Sequence, residues 1–265
     1  MENTETMASI SPVKLGINSE FTFKCHKGVK CFTKCCRGIN IILTPYDIIR
    51  LKKRLDLSSE EFLAIYTKPE IMEKTDLPVV TLKLLDDDQK SCPFVRDDGC
   101  IIYTDRPTTC RYYPLGVASL MHREGADDGG FYFFVNEPHC LGFEEKEDWT
   151  VREWRVDQGV DIHDEINAGW TDLVVRKRSF PMNIKLTDKS KQLFFMVSYN
   201  IDQFRRFVFE SSFLQRYPTE PEIAEKIKND DVELLKFGMK WLKDVFFSYE
   251  NFEARMKDIP ETPES

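Results

Sequence analysis

Eight cysteines fall between residues 25 and 140, and none follows in the remaining 125 residues. So many thiols must be cross-linked, buried as small apolar groups, or used as ligands. The first eleven residues, MENTETMASIS, carry two glutamates and neither the basic start nor the apolar middle of a signal peptide. A cytoplasmic location is therefore expected, where thiols stay reduced and metal ligation is favoured over disulfides. Cys25, Cys31, Cys35 and Cys36 form one group, Cys92, Cys100 and Cys110 a second, and Cys140 stands alone. Lys24, Lys27, Lys30 and Lys34 surround the first group, a context that argues against simple core filling. For Cys140 alone, burial as an apolar residue is an equal reading.

Thiolates are soft donors that suit zinc, copper(I) and iron–sulfur clusters. The gaps between successive cysteines are 5, 3, 0, 55, 7, 9 and 29 residues, with no C-x2-C pair. Zinc ribbons take their ligands as close pairs, and only Cys31 with Cys35 or Cys36 has that spacing. Iron–sulfur ligation needs no such pairs. Eight thiolates could form two four-ligand sites, for two zinc ions or two four-iron clusters, or one site with cysteines to spare. Adjacent side chains on extended backbone point to opposite sides. Either the chain turns sharply at Cys35-Cys36, or these two serve different metals. His26 and His139 each adjoin a cysteine and are further candidate ligands, whereas His122 and His163 read as surface or helix residues. Arg106 and Arg111 flank Cys110. Arg111 is assigned to stabilising anionic thiolates, with an ordinary ion pair to Asp97, Asp98 or Asp105 as the alternative.

Thr44, Pro45 and Asp47 announce a helix, and Ser58/Glu61 and Thr150/Glu153 repeat the capping-box spacing. Residues 79–103 read as an antiparallel meander, Pro107 starts a helical turn that delivers Cys110, and Phe131–Val135 is a further strand. Residues 125–130 read as a loop. Helices are predicted over 151–159, 162–176, 189–214, 220–228 and 231–248, the last with a stripe of Val232, Leu235, Met239, Leu242 and Phe246. Lys52–Arg54 reads as a solvated helix face, and Phe204, Phe207, Phe209 and Phe213 as helix core. The expected fold is α+β: a cysteine-rich N-terminal half with a small antiparallel sheet and capped helices, and a helical C-terminal half. The expected division is a disordered or extended N-terminus (1–20), a cysteine-cluster metal-binding region (21–145), a helical region (146–256) and a disordered tail (257–265).

Thirty-seven Lys and Arg against 45 Asp and Glu leave a net charge of −8, poorly matched to a phosphate backbone, so no nucleic-acid partner is expected. No stretch reaches the ~18 apolar residues of a membrane span. Dinucleotide, Walker, H-E-x-x-H and nucleophile-elbow motifs are absent.

The run Phe23–Leu51, with Cys35-Cys36 followed by Ile-Leu-Thr-Pro-Tyr-Asp-Ile-Ile-Arg-Leu, resembles the YkgJ-type cysteine-cluster family. So do Cys92-Pro93-Phe94, Gly99-Cys100-Ile101-Ile102-Tyr103, Arg106-Pro107 and Cys110-Arg111-Tyr112-Tyr113-Pro114. The likeness covers about residues 21–116. The family is described as zinc- or iron-chelating, which implies that these cysteines bind metal. Its early cysteines are usually separated by two residues, whereas here the gaps are five and three. Three functions follow as expectations. The first is metal binding through an iron–sulfur cluster (one or two, 4Fe-4S in type) or Zn2+. The second is a metal-dependent protein-modifying enzyme resembling flagellin lysine N-methylases. The third is an interaction module with a structural zinc. The sequence identifies no protein partner.

Overall fold

The computed structural model describes residues 9–10, 13–119, 130–181 and 185–247. His122, most of the 125–130 loop and the 257–265 tail lie outside the described residues. The architecture is α+β, with small antiparallel sheets in the N-terminal half and helices dominating the C-terminal half.

All three capping boxes form as the sequence predicts. Helix α1 (Pro45–Arg54) starts at Thr44, whose hydroxyl accepts from Asp47 N while the Asp47 carboxylate accepts from Thr44 N. Ser58 and Glu61 open α2 (Ser59–Tyr66) in the same way. A short helix α3 (Thr108–Tyr112) carries Cys110. Thr150 and Glu153 open α4 (Val151–Asp157), and α5 (Val160–Arg178) follows after Gly159, which turns the chain with φ +64°. The rest is α6 (Asp188–Tyr199), α7 (Ile201–Glu210), α8 (Phe213–Arg216), α9 (Pro221–Asn229) and α10 (Asp231–Phe247).

Strand Pro78–Leu82 is buried along its whole length between Ile42–Leu43 and Thr67–Ile71, paired Leu43↔Val80 and Thr67↔Leu82. The strand Thr67–Ile71 escaped the sequence reading. It holds Pro69 and exposes four of its five residues, so it lacks alternation and lies at an edge, where proline is tolerated. Ser9–Ile10, Gly130–Asn136 and Leu115–Ser119 form a second three-stranded sheet. Glu20–Thr22 pairs with Asp148–Thr150. Val95–Arg96 pairs with Gly99–Cys100, a hairpin shorter than predicted, because the chain passes into a 3₁₀ helix at Tyr103–Asp105.

The predicted 189–214 helix is broken into α6, α7 and α8. Asn200 leaves helical geometry (φ −109°, ψ 69°), its side chain accepts from Gln203 N, and it also accepts from Ser59 Oγ at 2.8 Å. The break lets Asn200 cap α7 and hold α2 at once. Lys52 is not a solvated residue. It ion-pairs with Asp202 (2.9 Å) and Asp231 (3.0 Å), joining α1 to α7 and α10.

The main core is shared by both halves. Ile41, Leu43, Ile48, Leu51, Phe62 and Val80 pack with Phe194, Phe204, Leu235, Met239 and Leu242. Phe204, Phe207 and Phe213 surround Trp241, with the Phe213 ring centroid 5.0 Å from it. A smaller aromatic core joins Phe21, Phe23, Leu115, Val151 and Trp154 through edge-to-face contacts. Among the described residues, no helix is long and apolar enough to cross a membrane.

Thr44→Ala should cost about 0.5–2 kcal/mol, the range for a lost N-cap, measured by urea unfolding. Backbone and hydroxyl donors of Ser58 and Thr150 hold the Glu61 and Glu153 carboxyls below their usual range. A carboxyl depressed in the folded state stabilises above its unfolded pKa and loses that contribution as pH falls through the folded value. Ser58→Ala and Thr150→Ala should therefore destabilise more at pH 7 than near the acid end of the unfolding profile, where only the lost acceptor for Glu61 N or Glu153 N remains.

Candidate metal centre

Two sets of backbone contacts gather the cysteines. In the first, Phe23 N donates to Glu147 O and Lys24 N to Gly142 O, laying Cys25 beside residues 140–142. Gly142 is required by this approach, since an added Cβ would meet the Phe23 ring at 2.5 Å and Lys24 O at 3.0 Å. The chain then runs through turns (Val29 N to His26 O, Phe32 N to Val29 O, Lys34 N to Cys31 O) into a 3₁₀ helix, Lys34–Cys36. The Cys31 thiol accepts from Leu141 N at 3.2 Å, closing a separation of 110 residues. Cys25, Cys31 and Cys140 thus converge, and Cys35 follows one turn after Cys31.

In the second set, Cys92 N donates to Cys36 O at 2.8 Å and Gly38 N to Lys90 O at 3.0 Å. Cys92 leads into the hairpin in which Val95 pairs with Cys100. Cys110 arrives on α3. Cys92 belongs to the main core and Cys36, Cys100 and Cys110 pack against it, whereas Cys140 packs on the smaller aromatic core.

All eight cysteines are free thiols. Cys25 is exposed as a residue, yet protein crowds its sulfur, and burial, then the neighbouring Cys35, Cys31 and Cys140, pushes its pKa up to about 11. Hydrogen bonding with the Cys36 thiol, then burial, raises Cys35 well above the usual thiol range. Burial is the first cause for Cys92, Cys100, Cys110 and Cys140, all raised. Such thiols stay protonated at neutral pH unless a cation compensates the thiolate charge. Arg106 and Arg96 favour the Cys100 thiolate but do not outweigh burial.

The donor chemistry fits a thiophilic metal. Buried polar atoms without hydrogen-bond partners lie alongside: the Tyr113 hydroxyl, which faces the Cys140 thiol, and Glu137 Oε2, a neighbour of Cys35. Glu137 Oε2 stands 3.1 Å from His139 Nε2 at an angle that makes no hydrogen bond. The thiols do not form a closed coordination shell. Among the described residues, no three His, Cys, Asp or Glu side chains are arranged to hold a metal ion.

Several sequence expectations resolve here. The chain does turn sharply at Cys35-Cys36: Thr33 (φ 66°) and Gly38 (φ 60°) bracket the 3₁₀ helix, and the two thiols meet. Arg111 does not serve thiolates. Its three hydrogen bonds go to the carbonyls of Thr104, Arg106 and Gln158, because the buried guanidinium finds only backbone acceptors in reach. Arg106 bonds Tyr103 O and Gln158 Oε1 and lies over the Tyr103 ring. His26 is exposed, with Nε2 at Glu145 and Nδ1 accepting from Gly28 N.

His163 is a helix residue, on α5, but not a surface one: it is 2% exposed in a polar network that sequence reasoning missed. Asp47, fully buried, accepts from Thr108 N (2.9 Å) and Thr108 Oγ1 (2.8 Å). The single Thr108 hydroxyl hydrogen goes to Asp47, so His163 Nδ1, 2.9 Å from Thr108 Oγ1, is the donor in that contact. Asn167 adds bonds to Thr44 Oγ1 and from Tyr46 N. This network joins α1, α3 and α5 immediately beside Cys110. Asp47 was legible only as a capping residue; nothing local marks its second bond, to a residue 61 positions away.

Residues 24–148 match the model of the CxxCxxCC family, described as "Putative zinc- or iron-chelating domain". A search of curated proteins found no match, and neither did a search of solved structures.

Asp47→Ala should destabilise by roughly 3 kcal/mol, because it strands two buried donors of Thr108 at once. Asp47→Asn, which keeps the shape and one acceptor, should cost less. Chemical denaturation of both variants checks the order.

Proposed function

We propose, from the match of residues 24–148 to the CxxCxxCC family model, that this protein binds metal through Cys25, Cys31, Cys35, Cys36, Cys92, Cys100, Cys110 and Cys140, and that the metal is an iron–sulfur cluster of the four-iron type. The observation that carries the reading is that backbone contacts bring the cysteine-bearing segments together, Cys31 to Leu141 and Cys36 to Cys92, with all eight thiols free. Burial penalises each of the raised thiolates, and a cation of high charge is what turns this penalty into a gain.

Three features favour iron over zinc. Sulfur donors alone are sufficient. Paired knuckles are absent. Cys92-Pro93 is also similar to the cysteine–proline pair that closes bacterial ferredoxin motifs. A bound cluster would supply one-electron chemistry; the chain's own contribution is to exclude water from Cys92 and Cys31 and to fix the loops that present the thiolates.

Purified anaerobically from iron-replete cells, the protein should be brown, with broad absorption near ~400 nm and labile sulfide. Chelation should lower its melting temperature and release titratable thiols. A colourless preparation with stoichiometric zinc and no sulfide would replace the cluster with structural zinc. A folded, metal-free protein with eight reactive thiols would remove the metal reading altogether.

A further inference from the structure

We propose that Cys31 and Cys140 are a site of reversible thiol oxidation, which close into a disulfide when the protein meets a small-molecule disulfide such as oxidised glutathione. The inference stands beside the metal-binding reading and does not depend on it.

One contact sets the proximity. Leu141 N donates to the Cys31 sulfur at 3.2 Å. An amide nitrogen lies about 2.4 Å from the preceding Cα by standard backbone geometry, so the Cys31 sulfur stands within about 6 Å of the Cα that bears the Cys140 thiol. A disulfide joins Cα atoms roughly 4.4–6.8 Å apart. A sulfur already this close to the opposite Cα needs little more than side-chain rotation to bond. Among the described residues no three His, Cys, Asp or Glu side chains are arranged to hold a metal ion; a disulfide asks for two sulfurs only.

Both partners are held from their flanks. Phe23 N to Glu147 O, Lys24 N to Gly142 O and Trp149 Nε1 to Phe23 O fix the entry of the Cys31 loop against the chain that follows Cys140. Cys140 N donates to Glu137 O, and the residue packs on the small aromatic core. The two thiols therefore meet within one molecule, at a high effective concentration. Cys92, Cys100 and Cys110 lie with the main core instead. Cys25, the exposed member, is the competitor.

Cys140 is less buried than Cys31 and takes the first step. Its sulfur attacks oxidised glutathione, one glutathione thiol leaves, and a mixed disulfide remains. Cys31 then attacks the Cys140 sulfur and releases the second glutathione thiol. Two protons and two electrons pass from the protein thiols to glutathione. In a reducing compartment such a bond is transient and redox-sensing. Here it would staple the Cys31 loop to the segment before Gly142 and withdraw two of the eight thiols from any other use.

The full-length protein is incubated anaerobically with excess oxidised glutathione, with and without EDTA. Free thiols are then alkylated, and tryptic peptides are analysed by mass spectrometry without reduction. Lys24, Lys27, Lys30 and Lys34 place Cys25, Cys31 and the Cys35-Cys36 pair on separate peptides, so the pairing is read directly. Residues 31–34 should be linked to residues 124–146 as the main disulfide, and dithiothreitol should reverse it. Cys25→Ser should keep this link. Cys31→Ser should lose it and leave Cys140 as the glutathione adduct; if that variant does not fold, the wild-type and Cys25→Ser maps still decide. Circular dichroism, recorded throughout, restricts the reading to folded protein. A main link from Cys25 to Cys140 or between Cys35 and Cys36, or no link in either sample, overturns the site. Metal content of the same preparations separates the two readings: bound metal with the wrong pairing sinks only this inference, and the Cys31–Cys140 link in a protein that takes up no metal sinks only the metal reading.

Discussion

The Asp47 carboxylate is the point on which this architecture turns. It is fully buried, and a buried carboxylate is tolerated only when its lone pairs are met by donors. Thr44 N occupies one oxygen, while the backbone and hydroxyl of Thr108 occupy the other. One side chain thereby starts α1 and anchors the helix that carries Cys110. Through Thr108 it reaches His163 on α5, and Asn167 returns the network to Thr44. Removing any member leaves a donor or a charge stranded in low dielectric, so the cysteine-bearing helix is as firmly placed as the core around it.

That placement matters because the thiols cannot supply order themselves. Burial raises most of them, and a raised thiol is a neutral, weakly bonding group that gives a loop little reason to close. The protein instead closes the loops with ordinary interactions. Trp149 Nε1 bonds Phe23 O at 2.9 Å, the Phe23 ring meets Phe143 and Trp154 edge to face, and Gly142 admits the Lys24 carbonyl. Two cores lie behind the two groups of cysteines, one shared with the C-terminal helices and one small and aromatic. The helical half is thus not an appendage. Lys52 and Asn200 tie it to α1 and α2, and its apolar stripe fills the core on which Cys36, Cys100 and Cys110 rest.

Features written within about four residues were legible in the chain. Capping boxes at Thr44, Ser58 and Thr150 need only an acceptor and its partner three positions on, and each formed. The stripe of α10 obeys helical spacing, and Leu235, Met239, Leu242 and Phe246 are buried as it requires. The crowding of thiols into residues 25–140 marked the functional region, because composition and compartment bear on metal chemistry without any knowledge of contacts.

What the tertiary structure alone decided is everything that depends on a partner far along the chain. Asn200 breaks a run with good helical periodicity because Ser59, 141 residues away, takes its side chain. Arg111, beside Cys110, turns to carbonyls at Thr104, Arg106 and Gln158, since a buried guanidinium goes where acceptors are and not where sequence neighbours suggest. His163 vanishes into the interior because Asp47 and Thr108 leave a donor's place open there. The pairing of cysteines into neighbours has the same origin. Their number and types were fixed by local sequence, but which thiols face one another was set by loop closures of up to 126 residues, whose entropic cost only the assembled cores can offset.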